Sequence, residues 1–492
     1  MEQNFSYLPL GLYIHWPFCL KKCPYCDFNS YAFEHEPEIW VNALLEEIRQ
    51  GSKQFPYYKL RTIFFGGGTP SLIPPKYIKQ LIDQALYLWS PWNENKYIEI
   101  TLETNPSTIE SHALDEFMKA GINRFSIGMQ SLKDENLQFL GRLHSAKEAV
   151  EIATHAAKIC DNVSTDFIYA LPKDTIETWK KDLDDILTLA DKIGLEHISL
   201  YQLTIENNTS FETQVEAKLW TPMNDDKQSE LYMHTYATLY NANWDFYEIS
   251  NAARVIDQTQ ALHEYNVPRE TLRNEKYYGE YANVPRETLR NEKYYGEYAN
   301  VPRETLRNEK YCGEYANVPR ETLKNEKYYG EHDDVLCKTF KSVMKHENPT
   351  RKIASYTMQS QHNLIYWRYQ QYLGIGAGAH SRMIYNGQRI KFNNTKNPYK
   401  WIEQVKASRN GFLENKIDFE ILDAENEFQE KALMGLRLKE GIKITSEEMQ
   451  FVNKEKLEML IDSGFLKNSS NKYATTLSGR MCLNAVLKTF LK

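Results

Sequence analysis

Leu12-Tyr-Ile-His-Trp-Pro-Phe-Cys-Leu-Lys-Lys-Cys-Pro-Tyr-Cys-Asp-Phe-Asn29 crowds three of the chain's seven cysteines into eight residues, Cys19, Cys23 and Cys26, spaced C-x3-C-x2-C. The apolar run Leu10 to Ile14 leads directly into it, so the thiols are expected on a loop that follows a first strand. Two cysteines two residues apart suit zinc, iron or a redox pair. A structural zinc needs a fourth ligand, and a redox pair needs a helix opening at the motif, which Pro24 disfavours. Three thiolates on one short loop can instead hold three irons of a cubane cluster and leave a fourth iron open. Cys160, Cys312, Cys337 and Cys482 are scattered and read as inert thiols.

Outward from this loop, short β-branched or aromatic runs alternate with longer amphipathic segments. Strands are expected at Leu10 to Ile14, Leu60 to Phe65, Tyr97 to Glu103, Arg124 to Met129, Val163 to Ile168 and His197 to Leu203. Helices are expected from Pro37 to Gly51, Pro75 to Trp89, Ser107 to Ala120, Ser145 to Cys160 and Thr175 to Lys192. Six βα units predict an α/β fold, a partial (β/α)6 TIM-like barrel with its chemistry at the carboxyl ends of the strands.

A 17-residue unit beginning Asn266-Val-Pro-Arg-Glu-Thr-Leu recurs from Asn283, Asn300 and, cut short, Asn317. Near identity at so short a period reads as recent duplication, and the unit resembles a mobile palindromic element that has spread into coding genes. The interval 254–358 is therefore expected to be an insertion, dividing the chain into a core (1–253), the repeat segment, a Gly-rich continuation of the core (359–422) and a C-terminal helical, winged-helix-like domain (423–492). Basic residues in the last are not clustered as DNA binding requires, so an accessory role is expected there.

With 42% apolar and 25% charged residues and a formal net charge of −7, the 492-residue composition excludes a polyanion-binding surface and a disordered chain. The low, odd cysteine count argues against a secreted disulfide scaffold. No leader-like flank opens the chain and no apolar run has the ~18 residues of a membrane span, so it is expected to be cytosolic.

The C-x3-C-x2-C loop after the first strand, with Tyr25 just before its last Cys, resembles the radical S-adenosylmethionine superfamily. The resemblance implies a 4Fe-4S cluster on Cys19, Cys23 and Cys26, an open iron that chelates the amino and carboxylate groups of S-adenosyl-L-methionine, and reductive cleavage to a 5′-deoxyadenosyl radical. It further implies cofactor contacts at Gly67, Gly68 and Thr69 of Gly66-Gly-Gly-Thr-Pro70, at Glu103, at Gln130 of Ser126-Ile-Gly-Met-Gln-Ser131, at Arg142 of Leu140-Gly-Arg-Leu-His144 and at Asp166, with Tyr13 and Tyr25 flanking the cluster. Taken singly, a Glu at a strand end is more often solvated, an Arg paired, a GGGTP a turn; their order at successive strand ends carries the reading.

Within the superfamily the chain resembles the oxygen-independent coproporphyrinogen III oxidase-like group, and in it the HemW-type heme chaperones. The oxidases of that group carry a fourth Cys two positions after the third; here Phe28 stands in its place. His362-Asn-Leu-Ile-Tyr-Trp367 resembles the chaperones' heme-associated motif, which implies that His362 contacts heme, although on residue chemistry alone a buried histidine satisfied in the fold is the commoner outcome. The implied partners are heme, an unidentified heme-acceptor protein and an electron donor, with no nucleic acid. The alternative is an oxidative decarboxylase acting on coproporphyrinogen propionates, and a zinc-binding interaction protein is a third reading.

Overall fold

All six expected strands form, in parallel and in order: β1 (Leu8–Trp16), β2 (Tyr58–Gly67), β3 (Glu99–Thr104), β4 (Arg124–Gln130), β5 (Val163–Tyr169) and β6 (His197–Gln202). The computed structural model describes residues 7–32, 36–92, 97–106, 113–255, 358–408, 411–414 and 416–492. Between and after these strands lie α1 (Pro37–Gln54), α2 (Pro75–Leu88), α3 (Leu114–Ala120), α4 (Asp134–Phe139), α5 (Ala146–Ile159), α6 (Ile176–Ile193), α7 (Ser210–Glu216) and α8 (Asp225–Asn241). Pro at the first turn opens α1 and α2, where its missing N–H costs nothing. Ser145 and Thr175 cap α5 and α6 through reciprocal side-chain and backbone bonds, and Gly194 in the left-handed region ends α6.

Period-2 alternation along each strand sets the two faces of the sheet. On β1, Leu10, Leu12, Ile14 and Trp16 are completely buried on one face, while Tyr13 and His15 lie on the other. Strand register then lines up a polar inner face. Glu103 pairs with Ser126, Ser126 with Ser164, Ser164 with His197, and Asp166 with Ser199.

Among the described residues the sheet extends beyond the expected six strands to twelve, with further strands on both edges of the parallel set. At one edge β7 (Trp244–Phe246) and β8 (Asn251–Arg254) pair antiparallel next to β6. At the other, after α9 (Gln361–Trp367), β9 (Tyr372–Ile375) joins β1 in parallel; β10 (His380–Tyr385), β11 (Gln388–Asn393) and, after α10 (Pro398–Ala407), β12 (Ile417–Ile421) continue it antiparallel. The turn Gly374-Ile-Gly-Ala-Gly-Ala-His380 is thus the junction of two strands. Gly376, with φ of +102°, puts its α-carbon where a β-carbon would lie 2.4 Å from the His15 carbonyl oxygen.

The C-terminal segment holds α11 (Ala424–Gly435), α12 (Lys454–Asp462), α13 (Leu477–Met481), α14 (Leu483–Phe490) and a three-stranded sheet of β13 (Ile442–Lys443), β15 (Lys472–Thr475) and β14 (Leu466–Ser469). Phe428, Leu436, Val452, Leu460, Val486 and Phe490 form its own apolar core. No described helix is long and apolar enough to cross a membrane. The 17-residue repeats and the start of the expected Ser107 to Ala120 helix, 107–112, lie outside the described residues.

Candidate functional site

The cysteine loop starts where β1 stops, and its backbone is pinned at both ends. The Cys19 N–H donates to the Tyr31 carbonyl (3.0 Å) and the Tyr31 N–H to the Pro17 carbonyl (2.8 Å), closing the loop at its neck. Inside it, the Cys26 N–H donates to the Cys23 carbonyl (3.1 Å). Asn29, just past the loop, donates to the carbonyls of Ala377 (3.0 Å) and Lys396 (2.9 Å), which ties the loop to the β9–β10 turn and the segment before α10. None of the three thiols is in a disulfide.

The turn after β2 lies directly beneath this loop. Gly68 N–H donates to the Trp16 carbonyl (2.6 Å) and Thr69 N–H to the Phe18 carbonyl (2.8 Å). A β-carbon at Gly68 would come within 2.6 Å of the Phe18 carbonyl oxygen, so only glycine allows the approach. Gly67 sits at φ +111° and its N–H donates to Glu103 Oε2 (3.2 Å). The strand ends therefore converge on one cavity of about 380 Å³, lined by Cys19, Cys23, Cys26, Tyr25, Gly67, Gly68, Thr69, Glu103, Gln130, Arg142 and Asp166. Eleven sequence-predicted residues from five strand ends share one wall of space.

Arg142 reaches in from the loop after α4 because Gly141, at φ +69°, packs where a β-carbon would be 2.6 Å from Pro24 Cδ of the cysteine loop. Its guanidinium donates to the Gly128 carbonyl (3.0 Å) and to Asn105 Oδ1, and lies 3.5 Å from both Cys23 Sγ and Tyr25 Oη, while its Nε is buried without a partner. Burial works against that charge, yet Tyr25 and Cys23 outweigh it and hold the arginine pKa above its ordinary value. Burial raises the Cys19 and Cys26 thiols, and each also feels the Cys23 charge.

Opposite, burial first and Asp166 second push Glu103 up to about 8. Asp166 is likewise raised by burial, although it accepts from Ser126 (2.9 Å) and Ser164 (3.4 Å). Two buried acids facing one cavity are suited to accept from neutral O–H or N–H donors of a ligand. Gln130 takes φ of +66° at a register shift between β4 and β5, a strained backbone of the kind that gathers at functional sites. Asn105, two residues after Glu103, has no role in the sequence reading. It links the Thr69 hydroxyl (3.0 Å) to Arg142, a contact only the fold reveals.

Two expected residues lie elsewhere. Tyr13 is buried a layer below the cavity, its hydroxyl on His15 Nδ1 (2.9 Å). His362, at the start of α9, is completely buried; its ring bonds Thr62 Oγ1 and Tyr366 Oη (2.7 Å each) and stacks on Phe64 at 4.9 Å between centroids. Its N–H and that of Gln361 donate to the Glu99 carboxylate at 3.0 and 3.1 Å. Burial and then Arg124 lower the imidazole to about 3. His362 thus fastens α9 to the barrel interior, and neither ring nitrogen is available without breaking a hydrogen bond.

Does the donor set fit an iron-sulfur cluster? Among the described residues no three Cys, His, Asp or Glu side chains are grouped as ligands of a single ion. Three thiols on one short loop, opening on a cavity with the Arg142 guanidinium 3.5 Å from Cys23 Sγ, are the donor chemistry that would hold a cluster through three of its irons.

Residues 13–186 match the Radical SAM superfamily. The chain is 29% identical over 438 residues to the mitochondrial radical S-adenosyl methionine domain-containing protein 1 of Danio rerio, covering 88% of this chain and 73% of that protein. It is 28% identical over 497 residues to the heme chaperone HemW of Haemophilus influenzae, covering 98% of each. Among solved structures, coproporphyrinogen III oxidase (HemN) from Escherichia coli superimposes with a TM-score of 0.65 at 19% identity, covering 99% of this chain and 91% of that one. That likeness establishes the fold.

Proposed function

We propose, from the premise that this chain carries a radical S-adenosylmethionine domain and is a homologue of the HemW heme chaperones, that it captures heme and passes it to an acceptor protein in the cytosol. The observation that carries the reading is the convergence of Cys19, Cys23 and Cys26 with the glycine turn, Glu103, Gln130, Arg142 and Asp166 on one cavity. In this reading the three thiolates hold a 4Fe-4S cluster, and the cavity takes S-adenosyl-L-methionine. When bound, the pair supplies a one-electron route to cleavage of a sulfonium.

The protein's own groups prepare that cavity. Gly67 and Gly68 let the backbone approach the cysteine loop closely, their own N–H groups being held by Glu103 Oε2 and the Trp16 carbonyl. Glu103 and Asp166 accept from hydroxyls, Arg142 offsets thiolate charge, and the Phe18 and Trp16 carbonyls lock the turn under the loop. Heme does not share this space in our reading: 380 Å³ suits one nucleoside-sized ligand, and the porphyrin lies outside it.

Anaerobic reconstitution followed by heme titration and heme transfer to an apo-acceptor tests the proposal. Binding and transfer without change to the porphyrin are expected. Vinyl-porphyrin product from coproporphyrinogen would replace the chaperone reading with the decarboxylase one.

A further inference from the structure

Among the described histidines, all but one are committed. His15 bonds Tyr13 and Asn29, His144 the Met129 carbonyl, His155 Asp115, His197 Ser164 and Tyr247, His234 Thr238, and His362 Thr62 and Tyr366. His380, the first residue of β10, is exposed, and its ring makes no hydrogen bond among the described residues.

Its position is defined by backbone. His380 ends the glycine turn whose Gly378, at φ +79°, abuts the Asn29 side chain at the exit of the cysteine loop, where a β-carbon would be 2.6 Å from Asn29 Nδ2. On one side of that contact stands Phe28, 58% exposed at the rim of the cavity. On the other, register places His380 beside Asn393, and Asn393 beside Ile417, itself 38% exposed. Lys396, whose carbonyl receives Asn29 and Tyr31, is exposed with no ion pair among the described residues. The charges that act on the His380 ring are Arg382, Lys396 and Asp418, and Arg382 is already paired with Glu430 at 2.8 Å.

We infer that this strip, from Phe28 across Asn29 and Gly378 to His380, is a porphyrin-binding surface in which the His380 imidazole ligates heme iron and Lys396 takes a propionate. The inference rests on the chaperone reading above and supplies its iron ligand. A ferric porphyrin demands a neutral nitrogen donor, apolar surface for the macrocycle and a cation for its carboxylates. The strip offers a nitrogen in His380, an exposed aromatic face in Phe28 at the cavity rim and a cation in Lys396, whereas His362 offers a nitrogen only by opening a packed interior. Partial shielding of the ring from water, with Arg382 and Lys396 added and Asp418 opposing, lowers the His380 pKa, which favours the neutral imidazole that iron takes.

The test is an anaerobic hemin titration of the full chain, followed by Soret absorption and by magnetic circular dichroism, which reports axial ligation. His380→Gly is expected to weaken hemin by about tenfold or more and to abolish the histidine-ligated signature, with free imidazole restoring that signature. Lys396→Glu is expected to weaken hemin while leaving the signature unchanged. Iron content after cluster reconstitution confirms that each variant is folded. Should His380→Gly keep both affinity and signature, the inference is wrong while the chaperone reading stands. Failure of the unaltered chain to bind hemin at all overturns the chaperone reading and this inference with it.

Discussion

Replacing Gly68 with Ala isolates the contact on which the candidate site depends. The added β-carbon would meet Phe18 O at 2.6 Å and Phe18 N and C at 2.9 Å. An ordinary contact begins near 3.4 Å, so backbone must yield by roughly 0.8 Å against backbone, with no flexible side-chain end to absorb it. Phe18 is the residue before Cys19, and the Thr69-to-Phe18 and Gly68-to-Trp16 hydrogen bonds move with it. Overpacking of this kind costs about 1–3 kcal/mol, read as a fall of a few degrees in Tm. The larger effect is expected on the cluster: iron and sulfide per chain after anaerobic reconstitution should drop, and absorbance near 400 nm with them. Gly66→Ala is the matched control, because its new neighbours at 2.9–3.1 Å are the side-chain ends of Phe64, Tyr13 and Glu103. A Gly68→Ala protein with a full cluster complement and an unchanged Tm would refute the claim that this turn sets the loop.

Glu103→Gln is expected to flatten the pH dependence of stability. Burial lifts the folded-state pKa from 4.5 to about 8, so the fold keeps a proton that the unfolded chain releases; stability is full below about pH 4.5 and declines as pH rises to about 8. Urea midpoints across that window should fall for the native chain and fall less steeply for the variant, whose Asp166 is still raised by burial. Arg142→Met leaves Asn105 Oδ1 and the Gly128 carbonyl without this donor and removes the guanidinium 3.5 Å from Cys23 Sγ, and should lower cluster retention with Tm reduced by less than for a core deletion; equal iron retention would count against its role. Lys416→Met strands the buried Glu47 carboxylate, which also accepts from Gly376 N–H and Trp401 Nε1, at a cost of ~3–5 kcal/mol; adding Glu47→Gln should recover part of the loss in chemical denaturation. Deleting Asn266 to Glu331, which removes near-identical charge-balanced repeats, is expected to leave iron content and hemin affinity unchanged, and a lost cluster would show that the segment has been recruited.

The sequence alone determined the six parallel strands and which side chains stand at their ends. Strand alternation and helical periodicity are local, and C-x3-C-x2-C, GGGTP and the acids after β3 and β5 are each written within a few residues. What local reading could not supply was distance along the chain. Asn105 and Gly141 matter because they touch Arg142 and Pro24 across the barrel mouth, and no spacing rule reports such contacts. Short strands such as Tyr372–Ile375, with a glycine inside, are indistinguishable from loop until β1 offers its edge.

His362 and His380 show the division most clearly. Their identity and order were plain in the sequence, and a motif drew attention to the first. Which imidazole is spent inside the fold and which faces solvent depends on hydrogen-bond partners such as Thr62, three hundred residues from His362, whereas the His380 ring has none among the described residues. Burial and satisfaction of a polar ring are properties of the assembled interior, so only the tertiary structure decides them.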